Sequence, residues 1–174
     1  MADKSYSKLL FVGDSLIEFY DWQARFPEYQ VDNKGKAGES VAELLWRTEE
    51  MISSLTPPDW ILIMIGTNNV TMEDYGLEDT YEKVVQVYRA AFPQAKIVVN
   101  SLLPMRLPYL ADNAVVDLNK RLQEMAARLG ISFLDAYDKL TDDQGQPLAS
   151  VLEDEIHLAA DGYRLWADAV AEFL

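Results

Sequence analysis

Five residues in four short segments of this chain have the types and order needed for nucleophilic acyl transfer. Ser15 follows the first apolar run, and His157, the only histidine, lies three residues after Asp154. A serine, a histidine that takes its proton and an aspartate that orients the histidine are the minimum set for this chemistry. Two further segments, around Gly38 and Asn68, could supply hydrogen-bond donors to an oxyanion. Since the chain has one histidine and no cysteine, any imidazole chemistry must use His157, and we predict a serine hydrolase.

Ser15 also has an ordinary structural interpretation, because serine is a good N-cap for a helix. Its position between a predicted strand and a predicted helix favours a further role. Free N–H groups and positive potential at a helix N-terminus stabilise a developing alkoxide or oxyanion. The preceding Asp14 could form an Asx turn, or hold the bend so that the Ser15 hydroxyl points outward. We do not expect Asp14 to be the acid of the triad, since neighbouring residues in an extended turn rarely face each other.

His157 could instead be a surface or capping side chain. The spacing from Asp154 lets that carboxylate reach Nδ1 within a turn, which would fix the tautomer and leave Nε2 for Ser15. Glu153 and Glu155 flank the aspartate, so a charged loop is the competing interpretation. A single histidine without any cysteine leaves only carboxylates as further ligands, and we therefore expect neither a metal site nor a cofactor.

Gly38 and Asn68 are the candidate oxyanion donors outside the serine segment. Either could be only a turn residue, since glycine and asparagine both suit turns. In the functional interpretation, Gly38 presents an exposed backbone N–H close to the substrate and Asn68 donates from its side-chain amide.

Short apolar runs alternate with amphipathic stretches along the chain. Several runs are continuous in Val, Ile and Leu, which is typical of parallel strands covered on both faces. The candidate strands are Lys8–Val12, Tyr29–Asn33, Trp60–Ile65, Lys96–Ser101 and Ile131–Leu134. Between these strands, apolar residues recur at the spacing of an amphipathic helix. A capping box at Ser40–Glu43 predicts one helix start, and Pro57, Pro93 and Gly130 predict helix ends.

This alternation predicts an α/β fold: one doubly wound, flavodoxin-like domain over residues 1–174. Helices should cover both faces of a five-stranded, mostly parallel sheet in the order 2-1-3-4-5, giving three layers. Sites in such sheets form beyond the carboxyl ends of the strands. Ser15 follows the first predicted strand, Gly35–Ser40 the second and Gly66–Asn69 the third. We therefore expect these segments to meet at one edge of the sheet.

Composition limits the partners that this chain can have. The formal net charge is −14, from 15 basic and 29 acidic residues. Such a field repels nucleic acids and anionic membranes, so neither is an expected partner. No apolar run is long enough to span a membrane or to form the core of a signal peptide, and the absence of cysteine fits a reducing compartment. We expect a cytoplasmic protein that acts on a small molecule; the sequence does not indicate its oligomeric state.

Four blocks of this sequence resemble those of the SGNH, or GDSL, hydrolases, and they occur in the order found in that family. The blocks are Gly13–Leu16, which reads Gly-Asp-Ser-Leu, then Asn33–Ser40, Gly66–Asn69 and Asp154–His157. They look closest to the branch of platelet-activating-factor acetylhydrolase-like esterases. One departure is Asn69, where many members carry aspartate, and we expect this change to affect local hydrogen bonding more than the class of reaction.

The resemblance implies an esterase or lipase that works through an acyl-enzyme without a cofactor. Carried over residue by residue, it implies that Ser15 is the nucleophile and the first oxyanion donor. Gly38 and Asn68 would complete the oxyanion hole, His157 would be the general base, and Asp154 would orient it.

The candidates for lining the substrate are Leu16, Met105 and Arg106, the last two in the segment after the fourth predicted strand; the alternative for that segment is a loop packed on the core. No insertion is long enough for a lipid-binding lid, which favours short acyl groups. A thioester or a carbohydrate acetate would use the same site. A non-catalytic flavodoxin-like module that binds a phosphorylated ligand is the alternative of a different class, but Asp14 places an acid where that anion would bind.

Overall fold

A sheet of five parallel strands forms the centre of the molecule. The computed structural model describes residues 6–111 and 113–174. Its strands lie in the order β2-β1-β3-β4-β5, and every neighbouring pair is parallel. The strands are β1 (Lys8–Gly13), β2 (Gln30–Gly35), β3 (Trp60–Met64), β4 (Lys96–Asn100) and β5 (Ser132–Leu134). The predicted fold class and strand order are therefore confirmed.

Helices follow the strands and cover both faces of the sheet. They are α1 (Ser15–Glu18), α2 (Trp22–Arg25), α3 (Val41–Met51), α4 (Thr67–Thr71), α5 (Glu78–Ala91), α6 (Ala114–Leu129), α7 (Tyr137–Leu140) and α8 (Ala160–Phe173), with a 3₁₀ turn at Ile52–Ser54. The capping box predicted at Ser40–Glu43 begins α3, and α6 ends at Gly130 in the left-handed conformation. Both features provide hydrogen-bond partners for backbone groups that a helix leaves unpaired at its ends.

The pattern of burial explains why the strands formed where the apolar runs predicted. All residues of β1 and β3 are buried, since helices cover both faces of these central strands. The edge strand β2 is only partly buried and carries polar residues. It begins and ends later than the predicted Tyr29–Asn33, because pairing with β1 continues as far as the Gly13–Gly35 pair.

Two glycines allow the elements around the site to approach closely. A Cβ atom at Gly13 would lie 1.9 Å from the carbonyl oxygen of Met64 in β3. At Gly35 it would lie 2.2 Å from the backbone nitrogen of Glu18 in α1. Only glycine fits such contacts, and the close approach places the segment after β2 against the helix that begins at Ser15.

Within residues 6–111 and 113–174, no helix combines the length and the apolar character needed to cross a membrane.

Candidate active site

Ser15 is the first residue of α1, at the carboxyl end of β1. The N-cap is Asp14, not Ser15: its Oδ1 accepts the Leu16 N–H at 3.1 Å, which closes an Asx turn. The capping function is thus carried by the neighbour, and the Ser15 hydroxyl is left free for other partners. Ser15 is 7% exposed, so neighbouring residues cover most of its surface.

A continuous set of hydrogen bonds joins Ser15 to His157 and Asp154. The Oγ of Ser15 lies 3.3 Å from Nε2 of His157, and Nδ1 of the same ring lies 2.8 Å from Oδ2 of Asp154. Nδ1 donates to the carboxylate, which leaves Nε2 as the acceptor for the serine proton. Ser15 and His157 are 142 positions apart in the sequence, and the fold brings them together.

The carboxylate of Asp154 is held in its charged form. Its Oδ1 accepts the backbone N–H groups of His157 at 2.6 Å and Ile156 at 2.7 Å. The backbone bond from His157, then the bond from its ring, lower the pKa of Asp154 to about 2. The residue remains anionic whenever it is needed to orient the imidazole.

Backbone contacts fix the loop that presents His157. The Glu153 N–H donates to the His157 carbonyl at 2.9 Å, and Leu152 pairs with Leu158 in an antiparallel bridge. The Arg106 N–H donates to the Glu155 carbonyl at 2.8 Å, which ties this loop to the segment after β4. Glu153 and Glu155 are exposed, as expected for a charged surface loop. The backbone hydrogen bonds nevertheless hold this loop in one conformation.

Three predicted oxyanion donors have an N–H group without a protein acceptor in the described part of the chain, one at Ser15 itself and one in each of the segments after β2 and β3. Among the described residues, the N–H groups of Ser15 and Gly38 donate to no protein acceptor. Gly38 has φ of +78° and is exposed, and this left-handed conformation favours glycine. Asn68, in α4, gives one side-chain N–H to the Glu39 carbonyl at 2.9 Å and keeps the other for a ligand.

Asn69 forms a separate structural link. Its Oδ1 accepts the Val41 N–H at 3.0 Å, and its Nδ2 donates to the Asp74 carboxylate at 2.8 Å. An aspartate at this position could not donate to Asp74, so the amide suits its partner. This contact joins the start of α3 to the turn after α4 and does not touch the triad.

The candidates for lining the substrate occupy different surroundings. Leu16 is 1% exposed and packs in the core, so the prediction that it lines the site is wrong. Met105 is half-buried, whereas Arg106 is exposed and borders a depression of about 270 Å³ beside Asp154. A cavity of about 660 Å³ lies elsewhere, along α6 and the segment after β5, and none of the three triad residues lines it.

The exposed ring of Phe19 is a feature of the site that the sequence did not indicate. It is 59% exposed, and its centroid lies 5.8 Å from that of the His157 ring. Nothing in its local pattern separates it from other apolar residues, because its role depends on a loop far away along the chain.

Asp14 is a fully buried carboxyl group directly behind the serine. Its Oδ2 has no hydrogen-bond partner among the described residues. Burial raises the pKa of Asp14 to about 6, although the hydrogen bond from the Leu16 N–H opposes the shift. In the folded protein the neutral carboxyl therefore predominates up to about pH 6, where a free aspartate would already be charged.

Changing Asp14 to Asn is expected to stabilise the protein at about pH 8 relative to about pH 5. The folded-state pKa, about 6, lies above the ordinary 3.8. The raised pKa of Asp14 contributes to the free energy of unfolding. This contribution is fully present below about pH 4 and is lost as the pH rises through 6. Asparagine keeps the cap and does not ionise, so its advantage should grow by about 1.4 kcal/mol between pH 5 and pH 8, because only the last pH unit below the folded-state pKa lies in that interval. Urea unfolding at both pH values measures this.

The matched control for that measurement is Asp143→Asn, at an exposed aspartate in a surface turn. It should leave the pH dependence of the free energy of unfolding unchanged. Equal pH dependence in Asp14→Asn and the wild-type protein would show that Asp14 is not a strained buried acid.

A serine at a helix N-terminus that is hydrogen-bonded to a histidine, which is itself hydrogen-bonded to a carboxylate, is the arrangement of a serine hydrolase. Comparison with known proteins agrees with this class. Residues 11–165 match the model of the GDSL-like Lipase/Acylhydrolase family, and the chain belongs to that family.

Curated relatives cover most of this chain. Platelet-activating factor acetylhydrolase IB subunit alpha1 of Bos taurus is 28% identical over 165 residues, which span 90% of this chain and 70% of that protein. Subunit alpha2 of Homo sapiens is 29% identical over 163 residues, spanning 89% and 70%.

Solved structures share the fold. A Streptococcus pneumonia protein, solved under the provisional name of a platelet activating factor, is 26% identical with a TM-score of 0.85, over 99% of this chain and 86% of that one. The acetylxylan esterase Axe2 of Geobacillus stearothermophilus is 23% identical with a TM-score of 0.70, over 95% and 93% of the two chains. The second likeness is one of fold alone. Together with the family match, the comparisons identify the protein as a hydrolase.

Proposed function

We propose that this protein is a serine esterase that hydrolyses carboxylic esters with short acyl chains through an acyl-enzyme on Ser15. The observation that carries the proposal is the hydrogen-bonded series from Ser15 through His157 to Asp154 at 3.3 and 2.8 Å. Membership of an acylhydrolase family supports it and favours a hydrolase over a non-catalytic binding module.

In the first half of the reaction, Ser15 Oγ forms a bond to the ester carbonyl carbon while His157 Nε2 takes the serine proton. The negative charge of Asp154 stabilises the imidazolium. The carbonyl oxygen becomes an oxyanion that accepts from the N–H groups of Ser15 and Gly38 and the side-chain amide of Asn68. The bond to the leaving oxygen then breaks, and the imidazolium protonates the departing alcohol.

In the second half, water replaces the alcohol. His157 Nε2 takes a proton from water as the hydroxyl attacks the acyl-enzyme, and the same donors hold the oxyanion. Collapse releases the carboxylic acid, and the proton returns to Ser15. One ester and one water give one acid and one alcohol, with the protein unchanged.

Replacing Asn68 with alanine should lower kcat by about 10²- to 10³-fold, the usual effect of losing one oxyanion donor. The substitution removes the N–H offered to the oxyanion and also the N–H that the Glu39 carbonyl accepts. The oxyanion forms only after the substrate is bound, so KM should change little. Steady-state kinetics with a p-nitrophenyl ester measures this. Gln86→Ala, which removes an exposed amide on α5, is the control and should have wild-type kinetics. A kcat for Asn68→Ala close to that of the wild-type protein would remove Asn68 from the oxyanion hole.

The apolar surface beside the triad supports short acyl groups. Phe19 offers an exposed apolar ring whose centroid lies 5.8 Å from that of the His157 ring. A short acyl chain can be covered by this surface, whereas a long chain would leave most of its apolar area in water.

Hydrolysis of p-nitrophenyl esters from acetate to octanoate, by wild-type protein and Ser15→Ala, tests the proposal. We expect kcat/KM to be highest for the short esters and to fall along the series, with only background rates in the variant. Values of kcat/KM that rise through octanoate would overturn the short-chain preference. A preference for an acetyl thioester or an acetylated sugar in the same assay would keep the site and replace the substrate class.

A further inference from the structure

A buried ion pair lies behind the candidate oxyanion hole. The carboxylate of Glu39 receives two hydrogen bonds from Arg47, from Nε at 2.7 Å and from Nη2 at 2.6 Å. This fork-to-fork geometry fixes both the distance and the orientation of the two groups. The Glu39 side chain is 2% exposed and the Arg47 side chain 18%, so the carboxylate is shielded from water and the guanidinium largely so.

The same pair is connected to two of the three oxyanion donors. Glu39 follows Gly38 directly in the chain, and its carbonyl accepts the Asn68 side-chain N–H at 2.9 Å. A displacement of Glu39 would therefore shift the Asn68 amide through this hydrogen bond and the adjacent Gly38 through the chain. Both donors depend on where Glu39 is held.

Arg47 also holds the other end of this segment. Its Nη2 donates to the Lys34 carbonyl at 3.0 Å, at the end of β2. The guanidinium of Arg47 thus donates hydrogen bonds to residues on both sides of Gly38, to Lys34 before it and to Glu39 after it. Lys36 provides only a distant second charge, 3.9 Å from the Glu39 carboxylate on an exposed side chain.

Stability alone is a poor explanation for this arrangement. Buried ion pairs gain little net stability, because the loss of hydration offsets their attraction. The start of α3 is already stabilised by the Ser40–Glu43 capping box. Gly38 is exposed, has a positive φ and donates to no protein acceptor among the described residues, so contacts of its neighbours must fix its direction.

We propose that Arg47 is a positioning residue for the oxyanion hole, holding the Gly38 N–H and the Asn68 amide in place through Glu39 and Lys34. This inference rests on the proposed function, since these donors have a catalytic role only if Ser15 attacks a carbonyl group. A lysine would keep the charge but not the planar fork that bonds Glu39 twice and Lys34 once.

The test is the kinetics of Arg47→Lys, alone and combined with Asn68→Ala. Alone, it should lower kcat by about 10- to 100-fold with little change in KM, because a small displacement of catalytic donors has effects of this size. In the Asn68→Ala background the same change should lower kcat by a smaller factor, since one of the displaced donors is already gone. Glu39→Gln, a neutral variant of similar shape, should also lower kcat.

Arg128→Lys is the matched control, because Arg128 forms an exposed ion pair with Glu82 on the far helices α5 and α6. It should leave kcat unchanged. The positioning role would be overturned if Arg47→Lys lowered the thermal midpoint but not kcat, or if it lowered kcat by equal factors in both backgrounds.

A readout independent of activity separates this inference from the proposed function. The NMR signals of the Gly38 backbone amide and the Asn68 side-chain amide should shift in Arg47→Lys and not in Arg128→Lys. If the wild-type protein shows no Ser15-dependent hydrolysis, the proposed function fails, whatever these signals do. If hydrolysis is present but both signals stay in place in Arg47→Lys, the positioning role alone is overturned.

Discussion

Replacing Ser15 with alanine should lower kcat for ester hydrolysis by about 10⁶-fold, the loss seen when the nucleophile of a serine hydrolase is removed. The methyl group cannot form the acyl-enzyme, although the donors beside it remain. Substrate binding should persist, since Ser15 supplies only a small, 7% exposed surface to the site. Steady-state kinetics on p-nitrophenyl acetate and butyrate measures the loss.

Ser53→Ala is the control for that experiment, because Ser53 is an exposed serine far along the chain from the triad. It should retain the wild-type kcat. A Ser15→Ala protein with a kcat near that of the wild-type protein would mean that another group attacks the ester.

Replacing His157 with alanine should have an effect of similar size, about 10⁶-fold in kcat. Without the imidazole, no group among the described residues lies within hydrogen-bonding distance of Ser15 Oγ to take its proton. The wild-type kcat should fall as the pH is lowered, because a protonated imidazole cannot act as the base. A pH profile of kcat for both proteins measures this.

Asp14 complicates the pH profile, because burial places its pKa at about 6. The Asp14→Asn protein separates the two groups: its activity should still fall at low pH, since His157 remains. A wild-type profile that is flat between about pH 5 and 8 would contradict a histidine base. Loss of the pH dependence in Asp14→Asn would assign the titration to Asp14 instead.

The general architecture was predictable from the chain because its determinants are local. Continuous apolar runs can be buried on both faces only in a central parallel sheet, and β1 and β3 are indeed wholly buried. Strand-end placement then predicted which segments would meet, since parallel strands end at the same edge. The segments of Ser15, Gly38 and Asn68 follow β1, β2 and β3 in this way. His157 and Asp154 follow no strand directly, and their role beside Ser15 was predicted from their residue types and spacing.

The contacts that refine the site were not predictable, because they depend on pairs far apart in sequence. Asn69 accepts from Val41, 28 positions away, and Asn68 donates to Glu39 across 29 positions. Glu39 and Arg47 are separated by a loop and two turns of helix, without a spacing that marks an ion pair. The sequence also placed Leu16 beside the substrate, whereas its side chain turns into the core on the first turn of α1.

The account depends on Ser15 being a nucleophile, and covalent labelling tests this most directly. The protein would be treated with a fluorophosphonate, digested, and mapped by tandem mass spectrometry. We expect a single adduct on Ser15, absent from Ser15→Ala and formed much more slowly in His157→Ala, because the imidazole activates the hydroxyl. An unmodified Ser15, or an adduct that forms equally fast without His157, would contradict the account.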